Sequence, residues 1–206
     1  MDKTKKNFFT VRNLALIGLL AALVFVLSLI EIRIPLGLGD NTRLHLGNVM
    51  ALLAGVLFGP LVGGLSAGFG SMIYDLINPL YISEFWITFL TKFALGWMAG
   101  FVYKTLSAGR LHEFPKTLIS GIFGSGLYII LYGIKSAIMQ HFVNGNAWAV
   151  VWPVVGGKVL ISAVNGGIAV VATVLLAPIL RRALAASGLF TNLLIHPRET
   201  PPKSAG

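Results

Sequence analysis

Lys92, Lys135 and Lys158 stand inside otherwise apolar strings: LTKFALGW, YGIKSAIM and VGGKVLIS. An ammonium group in such a setting is costly unless it faces a protein interior or water, so its default reading is functional. These lysines can fasten the chain by ion pairing, snorkel on their long stems, or hold a ligand with an anionic or strongly accepting group. Lys92 has Asp75 and Glu84 as candidate acids. Tyr128 and Tyr132 lie one helical turn apart, and Asn165 follows Lys158 by two turns, on the same side. Trp86 opens the apolar string around Lys92. Catalytic patterns fail where they are tested. Gly157-Lys158 lacks the first glycine and the Ser/Thr of a phosphate loop, and Gly124-Ser125-Gly126 has no histidine base nearby in sequence. There is no HExxH string and no cysteine, so neither an enzyme nor a metal site is expected.

The elements that must position these groups are membrane helices. The chain has 206 residues, of which 56% are hydrophobic and 11% charged, with a mean hydropathy of +0.83. Soluble domains carry about 25% charged residues. A bilayer core needs about 20 apolar residues per helix. The pattern predicts an all-α integral membrane protein with six spans, at about 13–32, 46–59, 61–78, 85–106, 118–142 and 152–180. Gly59-Pro60 divides the second span from the third, and Pro178 should kink or fray the last turn. Residues 1–12 form a basic leader, 13–182 the membrane domain, and 183–206 a tail whose distal part is expected to be disordered. The net charge of +9 is dispersed, which argues against nucleic acid. With both termini cytoplasmic, eleven basic residues fall on the inner side and only Arg33 and Arg43 on the outer side.

This topology places Lys92, Lys135, Lys158, Asp75 and Glu84 in the outer half of the membrane, with aromatic and amide side chains around them. The inner half carries almost no charge. A channel would spread polar groups through the whole depth. The distribution instead predicts a cup, open outward and sealed below. Small residues at spacing four, such as Gly55 with Gly59 and Gly96 with Gly100, predict close helix packing. Ala15, Gly18 and Ala22 share a face of the first helix, suited to internal packing or to a membrane-embedded partner.

The string LHLGNVMALLAGVLFGPLVGGLSAGFGSMIYDLINP, followed by FWITFLTKFALGWMAGF, resembles the S components of energy-coupling factor (ECF) vitamin transporters. The resemblance covers about two-thirds of the chain, with the six-span layout and the basic N-terminus. It implies an S-component-like six-helix bundle in the plasma membrane of a prokaryote, capturing a small water-soluble vitamin at its outer face. It further implies a transmembrane T component and two cytoplasmic ATPase subunits as partners. The family's small-residue contact on the first helix maps to Ala15, Gly18 and Ala22, the glycine replacing an alanine. Its lid maps to Ile34–His45, with Arg43 and His45.

The substrate-binding set expected from these readings is Lys135, Lys158, Asn165, Tyr128, Tyr132, Lys92, Asp75 and Trp86. Aromatics beside lysines suit pyridoxine, a hydroxymethylpyrimidine or riboflavin, and the lysine excess equally suits the carboxylate of pantothenate. Two alternatives stay open: a self-sufficient secondary transporter or channel, and a membrane scaffold without a small ligand.

Overall fold

The computed structural model describes residues 8–37 and 40–187. The leader up to residue 7, the tip of the expected lid at 38–39 and the tail from 188 lie outside the described residues. Six α-helices dominate: α1 (Val11–Leu29), α2 (Gly47–Phe58), α3 (Pro60–Ile77), α4 (Phe85–Leu106), α5 (Glu113–Ile138) and α6 (Trp148–Ala186). Between α1 and α2 run two strands, β1 (Glu31–Gly37) and β2 (Asp40–His45), paired antiparallel with Glu31 opposite His45 and Arg33 opposite Arg43. The segment expected as a plain loop is therefore a hairpin. Its backbone groups satisfy one another across the ladder, which a loop would leave to water.

Among the described residues, four helical stretches are long and apolar enough to cross a membrane: Val11–Leu29, Ile82–Leu106, Glu113–Val143 and Trp148–Ala186. α2 is only 12 residues long, about 18 Å, and every residue but Met50 is buried. It is enclosed by its neighbours, which lets so short an apolar helix sit inside the bundle. α6 has 39 residues, about 58 Å, against a bilayer core of about 30 Å. It continues through Pro178 to Ala186, so the expected fraying at that proline is not seen. Met139–Val143 forms a π-helical turn ending α5.

Glycine brings α2, α3 and α4 together. Gly59 ends α2 at φ +89°, a left-handed conformation that suits glycine, and Pro60 starts α3 at once. A Cβ on Gly55 would strike the Gly96 carbonyl, and one on Gly96 would strike the Gly63 backbone. Backbone thus packs on backbone, as small residues permit in lipid. At the end opposite the hairpin, Arg181 of α6 donates to Tyr103 and Glu113 and lies over the Tyr103 ring at 4.6 Å. That network ties the far end of α6 to α4 and α5.

Candidate functional site

A cavity at the hairpin end draws residues from six parts of the fold. Thr42, Arg43 and His45 come from β2, and Asp75 from α3. Tyr81 and Glu84 lie in the α3–α4 connection, with Thr88, Thr91 and Lys92 on α4. Tyr128, Tyr132 and Lys135 come from α5, Ser162 and Asn165 from α6. Its free volume is about 40 Å³, room for about three water molecules. Pockets for drug-sized ligands run to about 300 Å³ or more, so the cavity in this conformation is smaller than such a ligand needs.

Arg43 links the hairpin to the helices. It pairs with Glu31 at 3.1 Å and Asp75 at 3.3 Å, and lies over the rings of Tyr74 at 3.8 Å and Tyr81 at 4.8 Å. Burial opposes its charge, but Asp75, Tyr74 and Glu31 outweigh that and hold its pKa above the ordinary value. Burial likewise raises Glu31, yet hydrogen bonds from Tyr74, Arg33 and Arg43 prevail and keep its carboxyl below the usual range. His45 is pushed well below the histidine range, first by burial and then by the positive charges of Lys92 and Arg43. Its Nδ1 accepts the Gly47 N–H at 3.2 Å, which anchors the base of the hairpin to α2.

The ion pairing differs from that expected for Lys92. Glu84 pairs with Lys135, and Asp75 with Arg43. Lys92 instead donates to Asn48 Oδ1 at 2.5 Å and lies 4.0 Å from the centre of the Tyr128 ring. The reason is reach. Glu84, in the turn before α4, faces α5, and Arg43, a residue assigned only to the lid, takes Asp75. Lys135 does not snorkel outward; its side chain is 7% exposed. Tyr128 and Tyr132 stack at 5.7 Å, as their one-turn spacing allows. Of the eight residues expected to bind substrate, six line this cavity. Lys158 is buried outside the lining, and Trp86 is 56% exposed. Sequence reasoning passed over Thr42, Thr88, Thr91 and Ser162, small hydroxyls that carry no signal until the helices are placed.

The family model of the ECF-type riboflavin transporter S component matches residues 8–182. The chain belongs to that family. Among curated relatives, an uncharacterised protein of Pyrococcus woesei is 34% identical over 66% of this chain and 90% of its own length. A UPF0397 protein of Streptococcus gordonii is 28% identical over 78% of this chain and 75% of its own. A solved S component of a bacterial ECF transporter aligns with a TM-score of 0.55 at 21% identity, over 84% of this chain and 97% of that one. It shows a shared fold. In this S component Ala15, Gly18 and Ala22 all lie on the exposed side of α1, and a Cβ on Gly18 would touch nothing within 4 Å. Leu14, Leu19, Leu23 and Val26 are exposed beside them, so α1 presents an apolar face with a shallow, small-residue track.

Proposed function

We propose that this S component is the substrate-binding subunit of an ATP-driven ECF importer in a prokaryotic plasma membrane. It captures a small water-soluble vitamin or precursor, of the pyridoxine or hydroxymethylpyrimidine, riboflavin or pantothenate class, at its outer face. The observation that carries the reading is the cavity: aromatic faces and charged groups from five elements converge at the hairpin end of a chain of this family. The basic-residue bias supports putting that end outside and both termini in the cytoplasm, with α2 and α3 completing six spans.

In this reading the site works by enclosure. Tyr128, Tyr132 and Tyr81 supply ring faces, Lys92, Lys135, Asp75 and Asn165 polar contacts, and the hairpin with Arg43 and His45 the lid. Lys158 and Trp86 belong to the proposed set only if the cavity widens toward them. No charged residue stands on α5 between Lys116 and Lys135, or on α6 between Lys158 and Arg181. That pattern supports capture by this subunit and crossing driven by a T component with two ATPase subunits, rather than a self-contained pore. The exposed track on α1 is the proposed surface for the T component.

Two measurements test the proposal. Protein purified in detergent should carry a small molecule identifiable by mass spectrometry after denaturation, and should bind it again. Ala22→Trp should impair co-purification with the T component while sparing ligand binding. Loss of both would refute the separation of the two faces, and an empty protein that binds no vitamin would refute capture.

A further inference from the structure

The charges around the cavity are not evenly paired. Arg43, Lys92 and Lys135 line it together with Asp75 and Glu84. Asp75 is committed to Arg43, and Glu84 to Lys135. Lys92 is left with no carboxylate at ion-pair distance among the described residues, although it is only 3% exposed. An ammonium group has three N–H donors. One goes to Asn48 Oδ1 and one can face the Tyr128 ring; the third has no acceptor among the described residues. The Tyr81 hydroxyl, on another wall of the cavity, is also buried without a partner among the described residues. Two donors on one small cavity thus lack a protein acceptor, and a ligand that accepts from them is favoured over one that does not.

We propose that the ligand is an acid, and that its anionic oxygen docks on Lys92 Nζ. The inference rests on the capture reading above and names the chemical class that this cavity would take. A neutral ligand would leave the Lys92 ammonium without a carboxylate in a low-dielectric site, whereas an anion supplies the missing acceptor and a directly paired charge at once. Lys135 does not offer the same opening, because Glu84 already occupies it. Arg43 is held by two carboxylates. Lys92 therefore sets the preference.

The discriminating variant is Asn48→Asp. It keeps the shape of Asn48 and loses no hydrogen bond to the described residues, since Asn48 Nδ2 makes none with them, but it hands Lys92 an internal carboxylate. The full chain in detergent would be titrated by calorimetry with matched acid and neutral pairs: pantothenate against panthenol, and nicotinate against nicotinamide. The co-purifying molecule would be identified by mass spectrometry in parallel. The expected co-purifying molecule is an acid, with any probe that binds preferring the acid form at least about tenfold. Asn48→Asp and Lys92→Met should each weaken the acid about 10- to 100-fold, the range of a charged hydrogen bond. Asn48→Asp should melt no lower than the parent, which separates lost affinity from misfolding. If the bound molecule is neutral and indifferent to Asn48→Asp, the capture reading stands and the acid falls. If an acid binds but ignores both variants, docking on Lys92 is wrong. If nothing co-purifies and no probe binds, the capture reading fails and takes this inference with it.

Discussion

Arg43 and Asp75 couple the hairpin to the helices, and a double-mutant cycle measures that coupling. The two single changes should not cost the same. Arg43→Gln removes the only cation within ion-pair distance of Asp75 among the described residues, and the Asp75 side chain is only 3% exposed. Breaking a buried pair this way costs about 3–5 kcal/mol, because a desolvated charge is left behind. Asp75→Asn leaves Arg43 with Glu31 at 3.1 Å and the faces of Tyr74 and Tyr81. It should cost only about 1.5–3 kcal/mol, the value of one charged hydrogen bond. The double variant no longer carries the stranded carboxylate, so its cost should fall short of the sum by about 1–3 kcal/mol. The assay is thermal melting in detergent followed by tryptophan fluorescence, where 1 kcal/mol is about 2–4 °C for a chain of this size. Equal single effects, or additivity within about 0.5 kcal/mol, would show that Arg43 is not the clasp described.

Gly96→Ala should lower the melting temperature by several degrees, because overpacking against backbone costs about 1–3 kcal/mol, whereas Gly126→Ala, with nothing within 4 Å, should be neutral or stabilising. Comparable losses from both would mean that α3 and α4 do not touch as described. His45 has a folded-state pKa well below 6.5. Above pH 6.5 it is neutral folded or unfolded; below, only the unfolded chain gains the proton, so stability falls by up to about 1.4 kcal/mol per pH unit until the folded pKa is reached. Melting curves from pH 7.5 to 5.5 should show that slope, and His45→Asn, which keeps an acceptor for the Gly47 N–H, should flatten it. Glu84→Gln weakens the hold on Lys135 and should raise the ligand association rate severalfold in stopped-flow measurements; an unchanged rate would locate the barrier elsewhere.

What the sequence made legible follows from how local each signal is. Gly59-Pro60 marks the α2–α3 turn because both residues act through their own backbone angles. The small-residue spacing of Gly55, Gly96 and Gly100 likewise announces close packing before any partner is known. The hairpin was missed although Glu31-Ile32-Arg33-Ile34 alternates with the period of a strand; the run is short, and its partner carries no matching pattern. Charge pairing was the least legible. Spacing put Lys92 near two acids, but only the three-dimensional arrangement shows that Arg43 and Lys135 reach them first.

Each cation of the cavity covers a tyrosine: Lys92 on Tyr128 at 4.0 Å, Lys135 on Tyr132 at 5.4 Å, and Arg43 on Tyr74 and Tyr81. A planar ligand would need those same faces. In a cavity of about 40 Å³ it could not be added to them, so under the proposed function binding would be an exchange. The cations leave the rings, at about 0.5–2 kcal/mol each, and the ligand takes the faces while its polar edge takes the cations. The three do not release equally. Arg43 is held by two carboxylates and two rings, and Lys92 lies deepest in the packing. Lys135 is held by Glu84 in the short turn Ile82–Glu84, and by the most distant ring contact of the set. It should yield first. The easiest opening is then the seam between that turn and α5, with the hairpin clasp staying shut longer. On that ordering, the expected lid is a second barrier behind a lysine gate, which is why Glu84 rather than Arg43 should govern the rate of entry.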